Sequence, residues 1–237
     1  MSSTSEAALP AAALIDTPAR WEERSANRVL ETGRDQILER SRKIVEAAYD
    51  LLEEGGLEGL TIRAVLNKTG LSRRAFYERF EGKDDLVVAV FEQTIRMATQ
   101  LFGEQIAAFP DPIERLRLIL TYIVLGKSSL PMPGAPNNRR GAALSREHLR
   151  LAESRPHDLQ AALAPLIALI AQQLTDGMAA GAVRQDDPQR LAGLVYNLVS
   201  TTVHTELLTS QGREPVQEDR TRLADDIWEF CRRALAA

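Results

Sequence analysis

The sequence predicts an all-α fold, and three observations carry the prediction. Period-two alternation of β-branched residues is almost absent. Apolar residues recur instead at spacings of three, four and seven, and long Ala/Leu/Arg/Glu-rich stretches are punctuated by Gly and Pro. Residues 1–34 lack a sustained apolar period and read as a flexible N-terminal arm. From Gln36 the pattern changes: Ile37, Ile44, Val45, Ala48, Leu51 and Leu52 form one stripe of an amphipathic helix, which Gly55 and Gly56 should end.

Residues 60–86, LTIRAVLNKTGLSRRAFYERFEGKDDL, are the stretch whose details agree with one another. Thr61 is a good N-cap, with Leu60 and Val65 placed as a hydrophobic staple, so a short helix should run from Ile62 to about Lys68. Gly70 suits a tight turn needing positive φ. Ser72 then caps a second short helix stapled by Leu71 and Phe76. Two helices joined by such a turn make a helix-turn-helix.

Later helices are expected at about 83–103, 111–126, 142–154, 157–180, 188–210 and 215–235. Asp111-Pro112 and Asp187-Pro188 each set a capping Asp before a first-turn Pro. The run between Lys127 and Gly141, rich in Pro, Gly and Asn, reads as a loop.

Composition excludes several classes. The 237 residues carry 29 Lys and Arg against 33 Asp and Glu, a net charge of -4, and mean hydropathy is -0.20. No run approaches the ~18 apolar residues of a membrane span. The first residues lack the basic start of a secretory signal, so a cytoplasmic address and no membrane partner are expected. Cys231 is the single cysteine, which removes intramolecular disulfides and thiolate metal clusters. His148, His157 and His204 are scattered, and no nucleotide loop or nucleophile motif occurs, so neither catalysis nor a metal or cofactor is expected.

Positive charge is nonetheless concentrated. Residues 62–83 hold six basic side chains (Arg63, Lys68, Arg73, Arg74, Arg79, Lys83) against Glu78 and Glu81, a local +4. In the second helix Phe76 and Phe80 should turn inward, leaving Arg73, Arg74, Tyr77 and Arg79 toward solvent. Basic residues at the front of a recognition helix suit the major groove of duplex DNA. The arm, with Arg20, Arg24, Arg28 and Arg34 interleaved with acids, is either a solvated tail or a minor-groove contact.

These residues resemble the TetR family of transcriptional regulators. The family pattern is met by Thr61, Gly70-Leu71-Ser72, Phe76-Tyr77, Phe80 and Lys83, and the resemblance covers about residues 37–90. It implies a three-helix DNA-binding domain at 35–82, followed at 83–237 by a larger helical ligand-binding and dimerisation domain. It further implies that Thr61, Tyr77 and Lys83 touch phosphates, with Ser72 at the recognition-helix cap and Arg79 as a further backbone contact. Arg63, Arg73 and Arg74 would reach bases, Arg74 departing from the small residue the family often carries there. Arginine pairs well with guanine, which favours a palindromic operator containing G/C.

The resemblance also implies a homodimer through the last two helices. The segment QRLAGLVYNLVSTTVHTELL is apolar on nearly all faces, as a helix packed on both sides must be. A small, apolar or amphipathic effector would bind among Phe91, Ile95, Phe102, Leu118, Tyr122, Leu125, Leu144, His148, Leu163 and Ile167, residues equally suited to an ordinary core. Tyr122, His148 and Gln172 are its candidate polar contacts. The expected function is a repressor released from its operator by that effector. The alternatives are an activator and, in a different class, a helical adaptor with a degenerate helix-turn-helix.

Overall fold

The computed structural model describes residues 20–126, 148–209 and 217–237. Its helices are α1 (Arg20–Gly59), α2 (Ile62–Thr69), α3 (Arg73–Tyr77), α4 (Lys83–Ile106), α5 (Pro112–Leu125), α6 (described over 148–154), α7 (Pro156–Ala179), α8 (Pro188–Thr209) and α9 (Gln217–Leu235). Among the described residues, extended pairing is limited to one isolated bridge between Val183 and Ala236. The expected loop at 127–141 and the start of the helix expected at 142–154 lie outside the described residues.

The chain divides into two compact units, Met1–Lys43 and Ile44–Ala237. In the first, the backbone is helical from Arg20, where the apolar pattern suggests a flexible arm to residue 34. The stretch lacks an apolar stripe but holds good helix formers and no Gly or Pro from Arg20 to Thr32, and propensity alone favours helix there. Lys43 pairs with Glu39 one turn back at 2.8 Å, and Ser41 Oγ donates to the Ile37 carbonyl at 2.9 Å.

The second unit holds two hydrophobic clusters. The smaller gathers Ile44, Ala48 and Leu52 of α1, Leu60, Val65 of α2, Phe76, Phe80, and Leu86, Val87 and Val90 of α4. Gly56, at φ 64° and ψ -160°, breaks the helical path of α1 where the Gly-Gly pair predicts it, though helical turns resume to Gly59. The larger cluster runs from Phe91 through α5, α6, α7 and α8 to Leu235. Asp111 Oδ1 accepts the Ile113 N–H at 2.9 Å and Asp187 Oδ1 that of Gln189 at 2.9 Å, so both Asp-Pro starts cap as expected. Helix α4 passes Gly103 and ends at Ile106, because Phe102 and Ile106 carry its apolar stripe one turn further into the core.

Helix α7 is long and apolar enough to cross a membrane by length and composition alone, with a mean hydropathy of 1.2 over its most apolar window. Half of that window is buried, and the helix packs on α4, α5 and α8, which makes it the central core helix of the larger cluster. Cys231 is buried in the same cluster, and burial pushes its thiol up to about 11, in keeping with a packing role.

Candidate nucleic-acid interface

The reader is built from caps and staples. Thr61 Oγ1 accepts the Ala64 N–H at 3.1 Å and opens α2. Gly70 closes it at φ 68°, its N–H reaching the Leu66 carbonyl at 2.9 Å. Ser72 Oγ accepts the Ala75 N–H at 3.1 Å and opens α3. Each cap satisfies a donor that the first turn of a helix otherwise leaves unpaired, which suits helices as short as these. Leu60, Val65 and Phe76 are fully buried, so both helices are pinned by their apolar sides.

That pinning decides what faces outward. Phe76 packs against Phe80 with ring centroids 5.6 Å apart, and Tyr77 stands edge-on to Phe76 at 5.3 Å while remaining 54% exposed. Thr61, Arg63, Ser72, Arg73, Arg74 and Lys83 are exposed as well. Arg74 Nε lies 2.9 Å from Glu78 Oε1, one turn along α3. Arg74, and then Arg79, hold the Glu78 carboxyl below its ordinary value. Lys83 Nζ donates to the Leu57 carbonyl at 3.1 Å.

Two basic side chains turn back onto the protein. The Arg79 side chain is only 7% exposed; its Nη1 donates to the Ala75 carbonyl at 2.5 Å and lies 3.4 Å from Glu78 Oε2. In this position it closes the C-terminal end of the recognition helix, where carbonyls lack helical partners. Lys68 is drawn to Glu54 at 2.8 Å and Asp50 at 3.2 Å, tying α2 to α1, and the bond from Glu54 raises its pKa.

Known proteins place this geometry. Residues 44–90 match the family model described as bacterial regulatory proteins, tetR family. The HTH-type transcriptional repressor Rv1474c of Mycobacterium tuberculosis is 27% identical over 179 residues, covering 71% of this chain and 95% of that protein. Residues 44–90 are a TetR-family DNA-binding segment. Among solved structures, FadR from Bacillus subtilis in complex with stearoyl-CoA shares the fold at a TM-score of 0.62 and 17% identity, over 80% of this chain and 96% of that one. RolR in complex with resorcinol does so at 0.62 and 15%, over 86% and 98%.

Most of the residues expected to line an effector site meet in the larger cluster. Phe91, Phe102, Leu125 and Leu163 are buried in the larger cluster, while Ile95, Leu118, Tyr122 and Ile167 are half-buried against it. Tyr122 stacks obliquely on Phe102 at 5.4 Å. His148 is half-buried and sits between two rings, Phe91 at 6.0 Å and Tyr196 at 5.8 Å. Leu144 lies outside the described residues. Gln172 is exposed and bonded to Asp176 at 2.8 Å, so it does not join them.

Sequence reasoning missed three features. Gln173, not Gln172, is the buried amide of α7, and its Oε1 has no partner among the described residues. The register could have found it, since 173 falls in line with the buried 166, 170 and 177. Tyr196 and His204, both buried on α8, were read only as part of an apolar helix. The ion pairs of Asp84 with Arg150 at 3.1 Å and of Asp85 with Arg155 at 3.6 Å carry no local sequence signal, because each joins residues some seventy positions apart.

Proposed function

We propose that the protein is a homodimeric repressor that reads a palindromic operator in duplex DNA and leaves it when a small molecule binds the larger helical domain. The observation that carries this reading is the outward face of α3. Arg73, Arg74 and Tyr77 project from a helix whose opposite side is locked by Phe76 and capped by Ser72. Exposed arginines on a rigid, short helix are what bidentate reading of guanine edges requires, while Thr61, Tyr77 and Lys83 are available for phosphates. A helical adaptor would have no physical need to keep these groups together.

Dimerisation is supported by two exposed hydrophobics on the last two helices: Leu194 of α8 is 58% exposed and Phe230 of α9 is 63% exposed. A second copy would cover both and set the two recognition helices about one DNA turn apart, ~34–36 Å. The two clusters change over between Val90 and Phe91, so the reader takes in the first two turns of α4, beyond the 82/83 boundary the resemblance implies. Duplex DNA as partner also fits action in the cytoplasm.

The test is selection of bound sequences from random duplexes, followed by titration at several salt concentrations. Wild type should enrich a palindrome. Arg73→Ala should relax preference at one position per half-site, and Lys83→Ala should weaken all sequences and flatten the salt slope by about one. Enrichment of no sequence would overturn the reading. The solved relatives hold stearoyl-CoA in one case and resorcinol in another. One fold thus accommodates a long acyl thioester and a small diphenol, so the ligand class must be sought in this chain's own residues.

A further inference from the structure

The end of the recognition helix carries one carboxylate among its basic groups, and two of them share it. Glu78 Oε1 accepts the Arg74 Nε–H at 2.9 Å, and its Oε2 lies 3.4 Å from Arg79 Nη1. The two ends of this chain of charges differ in setting. The Arg79 side chain is 7% exposed and bonded to the Ala75 carbonyl, whereas that of Arg74 is 89% exposed. A guanidinium that has left water needs an anion beside it, so Arg79 holds Glu78 from the protein side. Glu78 in turn holds Arg74.

A single exposed pair contributes little to stability, but a pair tied into a network with an ordered member is better fixed in place. For reading DNA, what counts is which donors the pair leaves over. A guanidinium has five N–H groups, and Glu78 takes the one on Nε. Both Nη groups of Arg74 are without a bond among the described residues. They form the outer edge of the fork, whose two parallel donors match O6 and N7 of guanine. Arg73, its neighbour, is exposed with no ion pair among the described residues, so it must surrender its rotamer freedom on binding. Arg74 has already surrendered part of its own.

We propose that Glu78 is a positioning residue for base recognition: it fixes Arg74 so that the two Nη groups read one guanine in each half-site, with Arg79 as the inner anchor. The inference rests on the reading of the protein as a DNA-binding regulator. Glu78 acts through Arg74 and touches no base. Its charge also opposes the other use of Arg74, as a phosphate clamp, because a carboxylate beside the guanidinium repels the DNA backbone. Loss of this carboxylate therefore has a signature opposite to the loss of a contact: tighter binding to every sequence and poorer choice among them.

The test uses the full-length protein, the operator that wild type selects, and a panel in which each base pair is changed in turn. Arg74→Lys keeps the charge and loses the fork, so preference should fall at least about fivefold at the one base pair per half-site that Arg74 reads. Glu78→Gln should lower preference at that same pair by about threefold or more, leave other positions alone, and steepen the salt slope by up to about one as Arg74 turns to phosphate. Glu81→Gln removes the same charge from an exposed side chain three residues on, and should tighten all sequences alike with the slope unchanged. The double variant Arg74→Lys/Glu78→Gln should discriminate no worse than Arg74→Lys. Thermal melting separates the roles: a pair that only braced the helix would lower the melting temperature of Glu78→Gln and leave its base preference intact. That result, or unchanged preference at every position in Arg74→Lys, overturns the inference while the regulator reading stands. Failure of wild type to select any sequence removes the regulator reading itself, and the role of Glu78 with it.

Discussion

Arg150 Nη2 stands 3.1 Å from Asp84 Oδ1, joining α6 to the first turn of the helix that leaves the recognition segment. One residue on, Asp85 Oδ1 faces Arg155 at 3.6 Å and Asp85 Oδ2 accepts the Glu81 N–H at 3.1 Å. The same short stretch of α4 is therefore held from the core side and from the reader side. A shift of α6 would therefore carry a partner of Asp84 with it.

This arrangement predicts a coupling of modest size. Both side chains of the Arg150–Asp84 pair are partly exposed, and such pairs contribute about 0.2–1 kcal/mol, so loss of one should change operator affinity by at most about fivefold. Arg150→Gln and Asp84→Asn should each produce that change, and the double variant no more than either alone. Arg96→Gln, which breaks a pair internal to α4 with Glu92, should leave DNA affinity unchanged in the same titration.

The exposed pair on the last helices makes a second expectation. Leu194→Glu and Phe230→Glu should fold normally, since neither side chain is buried in the chain itself, but sediment as monomers. Operator affinity should fall by orders of magnitude, because one half-site then binds alone. Dimeric sedimentation of both variants would exclude this face.

A third concerns packing. A Cβ at Gly177 would lie 2.7 Å from Val183 Cγ2 and 3.3 Å from Ile113 Cδ1. Replacing Gly by Ala inside a helix ordinarily stabilises by about 0.5–1 kcal/mol, whereas overpacking a tight core costs about 1–3 kcal/mol. The clash wins, and Gly177→Ala should lower stability in urea unfolding. At Gly103, where nothing lies within 4 Å of the added atom, the same change should raise it.

The fourth is a pH dependence. His148 titrates below the ordinary imidazole value of 6.5 because burial, and then His204, disfavour its cation. The unfolded chain therefore binds more protons than the folded one from about pH 6.5 down to the lowered value, and stability should fall with acidification through that window. His148→Gln, lacking the titrating group, should show a shallower loss there by thermal unfolding; an identical slope would remove His148 from the account.

How far the fold could be read in advance depended on range. Thr61, Gly70, Ser72, Asp111 and Asp187 act on backbone within three residues of themselves, so their roles were legible. The inward turn of Phe76 and Phe80 followed from helical spacing. The placement of Arg79 was not legible, because an arginine near the end of a short helix can fold back onto a carbonyl as readily as extend. Helix formation from Arg20 was missed for a different reason: the reading sought an apolar stripe, and propensity alone leaves none. The Tyr196–His148 contact spans 48 positions, and nothing local to either residue announces the other.

Val90 and Phe91 are neighbours on α4, yet Val90 belongs to the reader cluster and Phe91 to the larger one. The family model also stops at residue 90. The stretch that matches the family model thus ends where one core ends, inside a helix rather than in a loop. A chimera that transplants another reader onto this sensor should be joined between these two residues. A splice at the Gly82 turn, the more obvious place by eye, would strand Leu86, Val87 and Val90 against a foreign core they were never shaped to fill.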